Sequence, residues 1–187
     1  WYAHGIHFND AELKRLAETG TGVAHCPISN MKLSSGIARI PEMLKLGVRV
    51  GLAVDGSASN DGSDLLEELR TGFLLHRLNS SSAAPTGYDM LKIATRGSAS
   101  ILGRDDIGQI AEGMAADFFL INMDRLSLTG AQFDVSSMLG TVGYKGNVDY
   151  TVVNGRVVVR EGRLTGVDEE KITAEANHCV SRYLGRS

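Results

Sequence analysis

The chain has 187 residues, of which 43% are hydrophobic and 22% charged, and its 19 basic and 22 acidic side chains leave a formal charge of −3. This is a globular composition, and the lack of any basic run or aromatic-basic interleaving excludes a nucleic-acid surface. Cys26 and Cys179 lie far apart without C-x-x-C spacing, which argues against a disulfide framework or a cysteine-ligated zinc knuckle, so a reducing, cytoplasmic setting is expected.

The first hundred residues alternate short apolar runs with helix-like segments, the pattern of β-α-β units around a parallel sheet. Trp1 to Ala3 ends one run. Asp10 to Glu18 carries Leu13, Leu16 and Ala17 at helical spacing behind the cap Asn9-Asp10, and the glycines at 20 and 22 stop it. Val23 to Cys26 is a second strand ended by Pro27, Ile40 to Leu46 a short helix backed by Gly47, and Val48 to Val54 a third strand. A polar loop from Asp55 to Ser63 follows, then an amphipathic helix from Asp64 to Leu78, capped by Ser63 or Asp64.

After the serine-rich stretch from Asn79 to Pro85, Tyr88 to Leu102 is expected as helix. Composition then changes. Phe118 to Ile121 is an apolar run, and Tyr150 to Val159 places two β-branched runs around Asn154-Gly155, a hairpin signal. Asp168 to Leu184 is expected as a terminal helix. No stretch approaches the roughly 20 apolar residues of a membrane span. The first residue is Trp1, not Met, from which a beginning further upstream is expected.

In a βα barrel the chemistry sits where strands end and loops begin. His4, His25 and Asp55 each follow an apolar run here. A carboxylate at such a place needs a partner, a metal ion or a cation, unless it serves as a helix cap or turn former, and the residues alone leave both readings open. His4 and His7 are spaced H-x-x-H, but no helix is expected there, so His7 reads as a loop residue. His76 and His178 read as surface or packing residues. Ser57 to Glu68 imitates a calcium loop without the carboxylate at its first position, and reads as a polar loop entering a helix.

Three strings carry a resemblance: Trp1 to Phe8 (WYAHGIHF), Ala24 to Asn30 (AHCPISN) and Val54 to Asn60 (VDGSASN), followed by Ala94 to Ala99 (ATRGSA), Leu102-Gly103, Ile107-Gly108, Glu112-Gly113 and Ala116-Asp117. Together they resemble the amidohydrolase superfamily, and within it the branch of 8-oxoguanine deaminase with guanine, S-adenosylhomocysteine and triazine-type enzymes as relatives. The resemblance implies an α/β fold, the C-terminal part of a TIM (β/α)8 barrel (strands six to eight) over residues 1–104. Part of a small composite β-sandwich over 105–166 and a C-terminal helix over 167–187 would follow.

It further implies a metal-dependent hydrolytic deaminase of a purine-like heterocycle, releasing ammonia by attack of a metal-bound hydroxide, with zinc as the expected ion. Asp55 would be metal ligand and proton-transfer group, and His4 its catalytic partner against the attacking oxygen. His25, Ser57 and Ser59 would contact substrate. A triazine or pterin-type amidohydrolase or chlorohydrolase is the rival reading, and a non-catalytic fragment of such an enzyme the other. The remaining ligands, an H-x-H pair and a further histidine, are expected from an upstream half of the same protein, without which the 187 residues are expected to be inactive. A small heterocycle is the expected partner, with neither nucleic acid nor membrane, and a homo-oligomer is compatible with the resemblance.

Overall fold

The computed structural model describes residues 1–186. The chain divides into two compact units, Trp1–Ala115 with Met123–Gly146, and Ala116–Asn122 with the chain from Asn147 on.

The first unit is built on a three-stranded parallel sheet in the order β1 (Tyr2–Ala3), β2 (Val23–His25), β3 (Val50–Leu52). Tyr2 pairs with Val23, and Val23 with Val50. Parallel neighbours need crossovers, and helices supply them. Helix α1 (Asp10–Thr19) begins at a capping box between Asn9 and Glu12 and stops at left-handed Gly20. It buries Leu13 and Leu16, each contributing about 2 kcal/mol by removal from water. Pro27, read from sequence as a strand stop, is also the first residue of helix α2 (Pro27–Lys32), where its missing N–H costs nothing. Helix α3 (Ile40–Leu46) buries Ile40 and Met43 and ends at left-handed Gly47.

The third strand, Val50–Leu52, is shorter than the apolar run that predicts it, although the Arg49 carbonyl before it already accepts from the Val23 amide. Ala53 still donates to the His25 carbonyl, and the chain then leaves the sheet. The polar loop is partly helical: α4 (Ser57–Asn60) precedes α5 (Leu65–Ser80), whose cap is Asp64, accepting from the amides of Leu66 and Glu67. The helix expected from Tyr88 to Leu102 runs as α6 (Gly87–Lys92), a π-helical turn over 93–97 and α7 (Ser98–Ile101). This helix lies against β3 so closely that a Cβ on Gly97 would fall onto the Val50 carbonyl oxygen. The Ser98 hydroxyl accepts from the Leu52 amide at 3.1 Å.

The second unit begins with β4 (Phe118–Leu120). In the intervening segment α8 (Met138–Thr141) returns to the first unit, and Arg70 of α5 donates to the Gly140 and Thr141 carbonyls at its C-terminus. The second unit continues with β5 (Tyr150–Val153), β6 (Arg156–Arg160) and β7 (Arg163–Leu164), an antiparallel sheet in chain order. Asn154 and Gly155 both adopt positive φ between β5 and β6, the backbone a tight hairpin requires. Helix α9 (Glu169–Tyr183) is capped by Asp168. No helix among the described residues is long and apolar enough to cross a membrane.

Candidate functional site

His4 follows β1 directly and Asp55 lies three residues beyond β3; both have left-handed backbones, with φ of 64° and 66°. For non-glycine residues this conformation is uncommon and mildly strained, and it clusters where side chains are aimed for function. The two side chains meet at the same end of the sheet, His4 Nε2 3.8 Å from Asp55 Oδ2.

Helix α2 binds both. Its fully buried Ser29 donates from Oγ to Asp55 Oδ2 at 2.6 Å, and its neighbour Asn30, also buried, holds His4 Nδ1 through Oδ1 at 2.9 Å. From the other side Ser59 of α4 donates to the same Asp55 oxygen at 2.9 Å. The Ser29 hydroxyl first, then Ser59 and the Gly56 backbone, hold the Asp55 carboxyl below the usual carboxylate range. Asp55 is therefore ionised at neutral pH, and every one of these side chains addresses Oδ2.

Behind this group lies a buried acid. Glu68 of α5 is fully buried, accepting from the Ile28 amide at 3.1 Å and from the Asn60 side-chain amide. Asn60 also donates to the Val54 carbonyl at 2.6 Å and accepts from the Gly62 amide at 3.1 Å. Burial raises the Glu68 carboxyl to about 7. The calcium-loop pattern ends here: its twelfth position points into the interior, and among the described residues no three His, Cys, Asp or Glu side chains gather to hold a metal ion.

The other sequence candidates fall differently. His25, expected against substrate, is fully buried, because α5 covers it and sets His76 Nε2 3.0 Å from its own Nε2. Desolvation, the His76 neighbour and His4 lower its pKa to about 3, and desolvation lowers that of His76 to about 4. Ser57 is exposed, and so is His7. The sequence assigns Ser29, Asn30 and Asn60 no role of their own, and Glu68 only the last position of the calcium-loop imitation. A Pro-x-Ser-Asn start of helix directly after a strand was the available signal for the first two, and an acid on the apolar face of α5 for the last.

One carboxylate with one neighbouring imidazole falls short of the four donors zinc prefers. These residues by themselves do not make a zinc site. Asp55 fits as a single ligand, its Oδ2 already engaged by the two serines.

The sequence profile of the amidohydrolase family matches residues 1–158. The chain is 44% identical over 187 residues to hydroxydechloroatrazine ethylaminohydrolase of a Pseudomonas species, covering 98% of this chain and 39% of that protein. It is likewise 44% identical over 184 residues to 8-oxoguanine deaminase of Pseudomonas aeruginosa, covering 98% of this chain and 40% of that one. The crystal structure of atrazine chlorohydrolase from Arthrobacter aurescens complexed with zinc superposes with a TM-score of 0.89 at 34% identity, over 95% of this chain and 40% of that chain. The chain thus spans about two fifths of the length of these relatives.

Proposed function

This chain belongs to the amidohydrolase family, and from that premise we propose that it carries strands six to eight of a (β/α)8 barrel, with β1, β2 and β3 in those places, and part of a small β-sandwich. Its role is the hydrolytic deamination of a purine-like heterocycle, 8-oxoguanine or a close analogue. The observation that carries the reading is the convergence of His4 and Asp55 at one end of a parallel sheet, each locked by a residue of α2.

A zinc ion held by Asp55 and by ligands from outside these residues would supply an activated water. Asp55 would hold the ion through its carboxylate, of which Ser29 and Ser59 occupy Oδ2. Those two donors make the carboxylate a dependable ligand and a weak base. Accepting a proton at Oδ2 requires one serine hydroxyl to rotate from donor to acceptor, so proton transfer through Asp55 is coupled to a turn of the Ser29 or Ser59 O–H. His4, whose Nδ1–H donates to the Asn30 oxygen, presents Nε2 beside Asp55, where the neutral ring would accept a hydrogen bond from the attacking water and, once protonated, would stabilise the charge that develops there.

The equal identity to a triazine-type ethylaminohydrolase supports a second reading, in which a triazine loses an alkylamine through the same site. Amine release by the natural protein from 8-oxoguanine, guanine, S-adenosylhomocysteine and hydroxydechloroatrazine separates the two. Preference for a purine supports the first, preference for the triazine the second, and release from none contradicts both.

A further inference from the structure

Glu68 is fully buried and accepts two N–H donors, and among the described residues no cation is paired with it. A buried carboxyl so placed is expensive, and an apolar side chain of similar volume would cost the core less. What it connects is specific. Ile28 and Asn60 are the sequence neighbours of Ser29 and Ser59, the two serines that grip Asp55. Asn60 passes the connection on to the Val54 carbonyl, one residue before Asp55.

We infer that Glu68 is a positioning residue for the site, one carboxylate that holds α2 and α4 at the separation at which Ser29 and Ser59 both reach Asp55. The inference rests on the reading of Asp55 as the functional carboxylate. Its physical basis is the donor-acceptor count. Both neighbours of Glu68 are N–H donors whose roles are fixed, the Ile28 amide by the backbone and the Asn60 amide by Gly62 on its oxygen. Both oxygens of the side chain at 68 therefore face an N–H, an arrangement that the carboxylate form satisfies in full. Glutamine has the same shape but offers one donor end, which must face Ile28 or Asn60. A glutamate that only fills space would tolerate that change, and would be relieved of its desolvation cost.

Glu68→Gln, Asn60→Ala and the double variant, made in the natural protein, test this through amide hydrogen exchange and through steady-state kinetics on whichever heterocycle the wild type turns over. In Glu68→Gln the amides of Ile28 and Ser59 should exchange at least about tenfold faster while that of Val23, bonded to the Arg49 carbonyl, keeps its rate. The kcat should fall by about 10- to 100-fold with KM nearly unchanged, the usual effect of losing a group that orients a site residue. Asn60→Ala should reproduce the loss, and the double variant should lose no more than either, since both changes break one connection. Faster exchange at all three amides together, unchanged exchange throughout, or losses that multiply in the double variant would overturn the inference. Should Glu68→Gln fail to fold, Asn60→Ala carries the same local-exchange test. If the wild type and Asp55→Asn turn over equally, the reading of Asp55 fails on its own, and the exchange data still decide whether Glu68 holds the two helices.

Discussion

His25 and His76, from β2 and α5, touch Nε2 to Nε2 at 3.0 Å in the interior, and neither Nδ1 has a protein partner among the described residues. A hydrogen bond between them requires at least one imidazole to be neutral, and burial favours neutrality in both. Their folded pKa values, about 3 and about 4, lie below the ordinary 6.5. The stability they permit is therefore complete above pH 6.5 and is lost as pH falls toward those values, because the unfolded chain takes up protons first. At pH 5 the loss is about 2 kcal/mol for each histidine. Glu68 has the opposite sign. Raised from 4.5 to about 7, its contribution is complete below pH 4.5 and fades as pH rises through 7. It regains about 2 kcal/mol between pH 7 and pH 5, leaving a net loss of about 2 kcal/mol. Urea unfolding at the two pH values measures this. Greater stability at pH 5 than at pH 7 would contradict the assignment.

The two serine donors to Asp55 are unequal. Ser29 is buried and 2.6 Å away, whereas Ser59 is 2.9 Å away and also donates to the Gly56 carbonyl. Ser29→Ala should raise the carboxyl's pKa toward the ordinary range more than Ser59→Ala does, as followed by the Asp55 13Cγ shift during titration of metal-free protein. The reverse order would show that α4, and not α2, is the main support.

Gly97 permits the π-helical turn to rest on β3. Gly97→Ala should destabilise the chain by about 3 kcal/mol, since the added methyl meets a backbone carbonyl that cannot move without disturbing the sheet. Denaturant unfolding with an unchanged m-value checks it. A change below about 0.5 kcal/mol would mean the helix has room to shift.

Much of this architecture is legible in the sequence because its signals are local. The Asn9 cap, the glycines at 20 and 47 and the Asn154-Gly155 turn each mark an element within a residue or two of its observed end. The elements that escape are those set by tertiary contact. Val48 to Val54 reads as one strand, yet the strand ends at Leu52, Ala53 makes the last bond to β2, and the chain turns at left-handed Asp55. His25 looks available on a strand end, and only the approach of α5, some fifty residues later, buries it. Ser29, Asn30 and Glu68 act through partners 26 to 40 residues away, which no spacing rule reveals.

Residues 1–187 alone should be neither active nor a tight zinc binder, since Asp55 and His4 fall short of a zinc shell and no third donor of the usual types joins them among the described residues. Elemental analysis of the purified segment checks this. Stoichiometric zinc with amine release from the segment alone would place the site elsewhere.

Asp55 as the ligand and His4 as the partner of the attacking oxygen are told apart by measuring bound zinc and ammonia release together in the natural protein, in Asp55→Asn and in His4→Asn. An amide at position 55 is a poorer ligand and no base, so Asp55→Asn should lose metal and nearly all turnover. His4→Asn should keep the metal and lose turnover by at least about 100-fold, within the range for a positioned acid-base or hydrogen-bonding group. Equal loss of zinc in both variants, or full turnover in Asp55→Asn, would contradict these two roles.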